Sequence, residues 1–269
     1  MIPKVILFDL DDTLIYEVAT DSAVIVNVIR RLVPAARGNS PELLVEAVHS
    51  AARTRWQESP ASAWGRSIGT SSIEGLYGDY SGDDPHLAEI RRYLQETNYR
   101  ERVWREALHA LDVPTTTVLA QLVAAAFAAE RPRRHEPIPD AREILERLGR
   151  ECRLVLLTNG APGIQRAKLA GSGFAPHFEA IVVSGEFGVG KPDPAIFEHA
   201  LKLAGVAADE TVMIGNSFAN DVIGAQNAGI KAVWFNLDHE PIPATAHPWR
   251  TITTLSEIAP LLGSAARAP

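Results

Sequence analysis

The rhythm of apolar and polar positions changes along this 269-residue chain. Residues 5–8 (Val-Ile-Leu-Phe) are apolar without alternation, the pattern of a short strand covered on both faces. Comparable runs recur at 153–157, 180–183, 212–214 and 231–235, and between them the apolar spacing turns helical. Asp140 stands where it can cap a helix that runs through Leu148. Further helices are predicted at 163–171, at 194–203 with proline in the first turn, at 219–228 ending at Gly229, and at 255–262. Five short apolar strands linked by helices predict an α/β fold, a parallel sheet with helices on both faces.

The stretch 16–134 has a different texture. Its apolar residues recur at helical intervals, as in Val24, Val28 and Leu32, or Val103, Ala107, Leu108 and Leu111, or Val118, Leu122 and Ala126. No strand of comparable quality interrupts them. The pattern predicts an all-helical insertion over 16–134 within a core built from 1–15 and 135–269. The Gly/Ser-rich segment 69–82 is its least helical part and reads as a loop.

Composition narrows the class. Hydrophobic residues make up 46% and charged residues 22%, ordinary for a globular protein able to bury a sizeable core. A net charge of −7 argues against a general nucleic-acid binder. The single cysteine, Cys152, excludes an intrachain disulfide and reads as a structural thiol next to an apolar run. The N-terminal segment has no signal-peptide pattern, and the most apolar window, 118–129, is too short to span a bilayer. The expectation is a cytoplasmic protein with no membrane and no nucleic-acid partner, as a monomer or homodimer.

Candidate chemistry lies where the strands end. The first strand runs into Asp9, Asp11, Asp12 and Thr13. Asp9 and Asp11, two residues apart, point the same way, and close carboxylates imply a shared proton, a cation or both. A solvated acidic turn explains that pair alone equally well. After 153–157 come Thr158, Asn159 and Gly160; after 180–183 a Gly-rich loop leads to Lys191-Pro192-Asp193-Pro194; after 212–214 come Gly215-Asn216-Ser217 and Asn220-Asp221. Each has an ordinary local explanation as a turn, a helix start or a cap. In parallel sheets, however, ligands bind outside the carboxyl ends of the strands, and these groups fall at successive ends.

In these four elements the chain resembles the haloacid dehalogenase (HAD) superfamily of phosphohydrolases: Phe8-Asp9-Leu10-Asp11-Asp12-Thr13-Leu14, Leu157-Thr158-Asn159-Gly160, Gly190-Lys191-Pro192-Asp193-Pro194, and Ile214-Gly215-Asn216-Ser217 with Asn220-Asp221. The resemblance implies a Rossmann-like core, with the helical insertion as a C1-type cap. It further implies a Mg2+-dependent phosphatase that hydrolyses a small-molecule phosphomonoester, a sugar phosphate or nucleoside monophosphate, through an aspartyl-phosphate. Asp9 is then the nucleophile and Asp11 the acid and base. Thr158, the Asn159 backbone N–H and Lys191 hold phosphoryl oxygens. The Asp9 carboxylate, the Asp11 backbone carbonyl and Asp221 are the metal ligands. Thr13 orients the first loop.

Asn216 departs from the family pattern, since many relatives carry Asp there. It can still bond a metal-bound water or the metal, and the missing charge predicts weaker Mg2+ binding. Asp11 favours phosphate-ester chemistry over dehalogenation, because a halide leaves without a proton. A sugar phosphomutase is the enzymatic alternative, and a non-catalytic phosphometabolite- or partner-binding module the other. Trp56, Trp64, Tyr77, Tyr80, Tyr93, Tyr99 and Trp104 lie in the insertion near Arg53, Arg55 and Arg66. They suit either an aromatic substrate pocket or, at helical spacing, the insertion's own core. A weak likeness to 5′-nucleotidases and N-acylneuraminate-9-phosphatases appears around 232–236.

Overall fold

The structure is a computed structural model that describes residues 3–243 and 247–263. Six parallel strands form one sheet: β1 (Val5–Phe8), β2 (Arg153–Thr158), β3 (Ala180–Val183), β4 (Thr211–Gly215), β5 (Lys231–Phe235) and β6 (Arg250–Ile252), in the order β3-β2-β1-β4-β5-β6. Helices α1 (Val18–Leu32), α2 (Pro41–Gln57), α3 (Ser62–Ser67), α4 (Pro85–Glu96), α5 (Tyr99–Ala110), α6 (Thr117–Glu130) and α7 (Ala141–Leu148) separate β1 from β2. α8 (Pro162–Ser172) joins β2 to β3, and α9 (Ser184–Phe187) and α10 (Pro194–Ala204) join β3 to β4. A π-helical turn, Phe218–Ile223, and the short α11 (Gly224–Asn227) follow β4, and α12 (Ile258–Leu261) closes the described chain.

The fold is the expected Rossmann-like α/β core with a helical insertion, and the sheet holds one strand more than the pattern predicts. β6 has only three residues, and its Arg250 and Thr251 are exposed, so it carries no apolar run to read. The central strand β1 is wholly buried, as its unbroken apolar sequence requires.

The chain divides into two compact units. The sheet unit comprises 1–16, 136–159 and 172–269; the helical unit comprises 17–135 and 160–171. The pattern-based boundaries, 1–15 and 135–269 against 16–134, differ from these mainly in α8. Its Ile164, and Ala161 just before it, are buried in the same hydrophobic cluster as Val28, Trp56 and Trp104 of the helical unit. In the sheet unit, Val5, Leu7, Val155, Phe197, Met213 and Trp234 share another cluster.

Two helix ends differ from expectation. Asp140 occupies the N-cap position of α7 but sits at φ 66°, and its side chain makes no capping bond. The run after β4 begins as a π-turn rather than a regular helix, with Ser217 accepting from Asn220 N at its start. Such turns often occur at functional sites, and this one carries Asp221.

Candidate active site

Register explains why the strand-end motifs meet. Phe8 pairs with Leu156 on one side and Ile214 on the other, so Asp9 lies level with the ends of β2 and β4. Its own N–H continues the ladder by donating to the Ile214 carbonyl at 3.0 Å. β1 lies between β2 and β4, where chain connections leave in opposite directions across the sheet, the usual crevice for a ligand.

Lys191 joins two of the motifs. Its ammonium Nζ lies 2.7 Å from Asp9 Oδ1 and 2.6 Å from Asp221 Oδ1, with all three residues buried. Burial alone would push the lysine pKa down, but the two carboxylates outweigh it and hold it above its ordinary value. For Asp221 burial wins: it raises the pKa to about 6, with Asp9 adding to the rise and Lys191 opposing it. Charged groups out of water cost several kcal/mol each unless paired, so this cluster is held together by mutual need.

Thr13 ties the first and fourth motifs. Its fully buried hydroxyl accepts from Asn216 N at 3.0 Å, leaving one proton to share between Asp9 Oδ2 at 3.1 Å and Asn216 Oδ1 at 3.3 Å. Asp221 Oδ2 accepts from Ser217 N at 2.9 Å, so both carboxylates are oriented through both oxygens. Asp11 lies in the same loop, in a backbone bridge with Ile15, and Asp12 makes the turn at φ 53°.

Asn159 has a role that sequence reasoning missed. Its side chain donates to the Lys191 carbonyl and accepts from the Lys191 N–H, each at 2.8 Å, so one amide holds both backbone polar groups of that residue. Thr158, one residue earlier, is buried at the end of β2. Trp234 is a second missed contributor: its indole N–H donates to the Asn216 carbonyl at 2.8 Å. Two glycines supply room. A Cβ on Gly215 would lie 2.3 Å from the Asp221 carboxyl, and one on Gly190 would lie 2.6 Å from Asn159 Oδ1. The signal for each was present only as a glycine within a motif.

Other candidates fall outside this site. Cys152 donates its thiol proton to the Leu148 carbonyl, and burial pushes its pKa up to about 11, the opposite of an activated nucleophile. In the helical unit Trp56, Tyr80, Tyr93, Tyr99 and Trp104 are buried in the unit's own core, while Trp64 stacks on His86. Arg53 pairs with Glu46, and Arg55 with Glu58 and Glu106.

The donor set can be tested against a metal. Among the described residues, no three His, Cys, Asp or Glu side chains converge in ligand geometry. Asp9 and Asp221 do converge, as hard oxygen donors, and together with Lys191 they leave one net negative charge in a buried space. Two carboxylates with a backbone carbonyl and waters suit Mg2+, which rarely takes a cage made wholly of side chains. The residues therefore fit a hard divalent cation.

Comparison with known proteins agrees with the geometry. Residues 3–229 match the family model for haloacid dehalogenase-like hydrolases. A phosphoserine phosphatase from Thermus thermophilus is 37% identical over 256 residues, covering 95% of this chain and 97% of that one. The pyrimidine 5′-nucleotidase YjjG of Escherichia coli is 32% identical over 127 residues, 47% of this chain and 56% of its own. Among solved structures, the Bacillus subtilis protein YfnB, described bound to magnesium, superposes with a TM-score of 0.62 at 22% identity, covering 97% of this chain and 99% of that one.

Proposed function

Since the chain belongs to the haloacid dehalogenase-like hydrolase family, we propose that this phosphatase hydrolyses a small phosphomonoester through an aspartyl-phosphate on Asp9, with Mg2+ as its cofactor. The observation that carries the reading is Lys191 Nζ set between Asp9 and Asp221 at 2.7 and 2.6 Å. It pairs with the carboxylate that is to attack and places a fixed positive charge where phosphoryl oxygens arrive.

The chemistry follows from the residues. Asp9 Oδ attacks phosphorus in line while the phosphorus–oxygen ester bond breaks. Asp11 gives its proton to the leaving alkoxide, then takes a proton from the water that attacks the aspartyl-phosphate. That second attack releases inorganic phosphate and restores Asp9. Thr158, the Asn159 N–H and Lys191 hold the phosphoryl oxygens, and Thr13 fixes the Asp9 carboxylate by its hydroxyl bond. Asp9, the Asp11 backbone carbonyl and Asp221 would hold Mg2+, which when bound offsets the charge of the phosphoryl group. Asn216 would stand beside it, through a water or its own carbonyl.

The relatives favour a phosphorylated amino acid as substrate. The phosphoserine phosphatase match covers 95% of the chain and so takes in most of both units. The nucleotidase match covers 47%, too little to include both. Substrate preference belongs with the part that varies around a common core, so the longer match weighs more. Phosphate release is to be measured from phosphoserine, sugar phosphates and nucleoside monophosphates, with and without Mg2+. Phosphoserine is expected to be the best of the three, and Asp9→Asn is expected to release none. Preference for a sugar phosphate or nucleotide overturns the substrate, and activity surviving in Asp9→Asn overturns the mechanism.

A further inference from the structure

Two hydrogen bonds meet on one peptide group beside Asp221. The Asn216 carbonyl accepts from the Trp234 indole N–H at 2.8 Å, and the Ser217 N–H donates to Asp221 Oδ2 at 2.9 Å. That carbonyl and that N–H belong to the same peptide. A trans peptide is planar, with its C=O and N–H pointing in opposite directions, so whatever fixes one aims the other. The 216–217 peptide therefore stands as a rigid plate between the tryptophan and the carboxylate. The other Asp221 oxygen, Oδ1, is held by Lys191 Nζ at 2.6 Å. All of these residues lie in the sheet unit.

Trp234 is well placed to control that plate. β5 runs beside β4 with Trp234 in register with Gly215, one residue before Asn216. The tryptophan is 1% exposed and belongs to the cluster of Leu7, Met213 and Val222. A phenylalanine or leucine would fill such a cluster without bringing in a donor. A buried indole N–H costs free energy unless it is bonded, and here its bond goes to the Asn216 carbonyl. The ring also meets Phe218 edge-on, with centroids 4.9 Å apart and planes at 77°. Phe218 opens the π-turn that carries Asp221. The Asn216 N–H donates to the Thr13 hydroxyl at 3.0 Å, so the peptides on both sides of Asn216 are tied. Turning the 216–217 plate over would point a carbonyl oxygen, rather than an N–H, at the Asp221 carboxylate. Two such acceptors repel, and the carboxylate would have to move.

We propose that Trp234 is a positioning residue for the metal ligand Asp221: its N–H sets the 216–217 peptide, and that peptide's own N–H aims Oδ2. The inference rests on the Mg2+-holding role given to Asp221 above. Trp234 acts through the peptide and not on the substrate.

The test uses two variants. Trp234→Phe keeps an aromatic ring beside Phe218 and removes the N–H, while Phe218→Leu removes the ring contact and keeps the N–H. The Ser217 amide proton is followed by NMR, and Mg2+ binding is measured by titration calorimetry with Mg2+ alone. In the natural chain the Ser217 proton is expected downfield, as for an amide bonded to a carboxylate, and the Trp234 indole proton is expected to exchange slowly. Trp234→Phe is expected to return the Ser217 resonance to the ordinary amide range and to weaken Mg2+ binding about tenfold. Phe218→Leu is expected to leave both near their natural values. Either readout unchanged in Trp234→Phe, or an equal loss in Phe218→Leu, overturns the inference. The natural chain tests it without any variant: an ordinary Ser217 resonance, or rapid exchange of the Trp234 indole proton, overturns it alone. If the natural chain binds no Mg2+, the metal-holding role of Asp221 falls, and the Ser217 resonance decides whether Trp234 aims that carboxylate.

Discussion

Asp9 and Asp221 share one ammonium, and that arrangement makes each of the three residues depend on the other two. Lys191→Met removes the only cation bonded to them among the described residues and leaves two buried carboxylates facing each other. Breaking a buried pair from one side costs about 3–5 kcal/mol, so a clear fall in melting temperature is expected in calorimetry, along with loss of phosphate release. Gly215→Ala acts on the same group by bulk, since its Cβ would meet the Asp221 carboxyl at 2.3 Å. Strained insertion costs about 1–3 kcal/mol, small enough to leave a folded protein by circular dichroism, but the displaced carboxylate should lower the rate by roughly tenfold or more. An alanine variant with natural activity would show that Asp221 need not sit where it does. Asn216→Asp adds a carboxylate beside Asp9 and Thr13. It is expected to lower the Mg2+ concentration for half-maximal phosphate release, and an unchanged Mg2+ dependence would remove Asn216 from the metal's surroundings.

At the scale of elements, the ion cluster of the helical unit predicts a pH response. Glu17, Asp21 and Glu74 face Arg131 and Lys168, three carboxylates against two cations, with the Tyr77 hydroxyl bonded to Glu17. Burial, with Glu17 adding, raises the Asp21 pKa from its ordinary 3.8 to about 7, against the opposing pull of Arg131. A carboxyl raised on folding binds more protons in the native state than in the unfolded one. Its contribution is therefore full at low pH and is lost as pH rises from about 4 to about 7. Glu17 is lowered and works in the opposite sense, but its window lies below its ordinary 4.5. Melting temperature should fall between pH 5 and pH 8 in the natural chain and fall less in Asp21→Asn, which cannot ionise. Equal falls in both would place the titration elsewhere.

The same scale shows what the sequence makes legible. β1 to β5 are readable because strands covered on both faces need unbroken apolar runs. β6 is not, because an edge strand of three residues has one partner and little to bury. The π-turn after β4 is hidden for another reason: its residues have ordinary helical composition, and only the bonds of Ser217 and Asp221 shape it. Asp140 misleads because capping residues also tolerate left-handed backbone, which is the use made of it here.

For the whole molecule, the strand-end residues are legible as a set because a parallel sheet must bring them to one edge, and the β1 register does so. Less legible is what steadies them: the Asn159 clamp on Lys191 and the Trp234 bond to Asn216. These act through tertiary contacts that no local spacing encodes. The assignment of α8 to the helical unit belongs here too, since the chain leaves that unit before β2 and returns to it for one helix. The central claim, attack by Asp9, is tested most directly by acid-quenching the enzyme during turnover of a radiolabelled phosphomonoester and mapping the label. The account predicts a phosphoryl group on Asp9, released by hydroxylamine as an acyl phosphate and absent in Asp9→Asn. Hydrolysis that proceeds with no label on the protein, or with label on another residue, would contradict it.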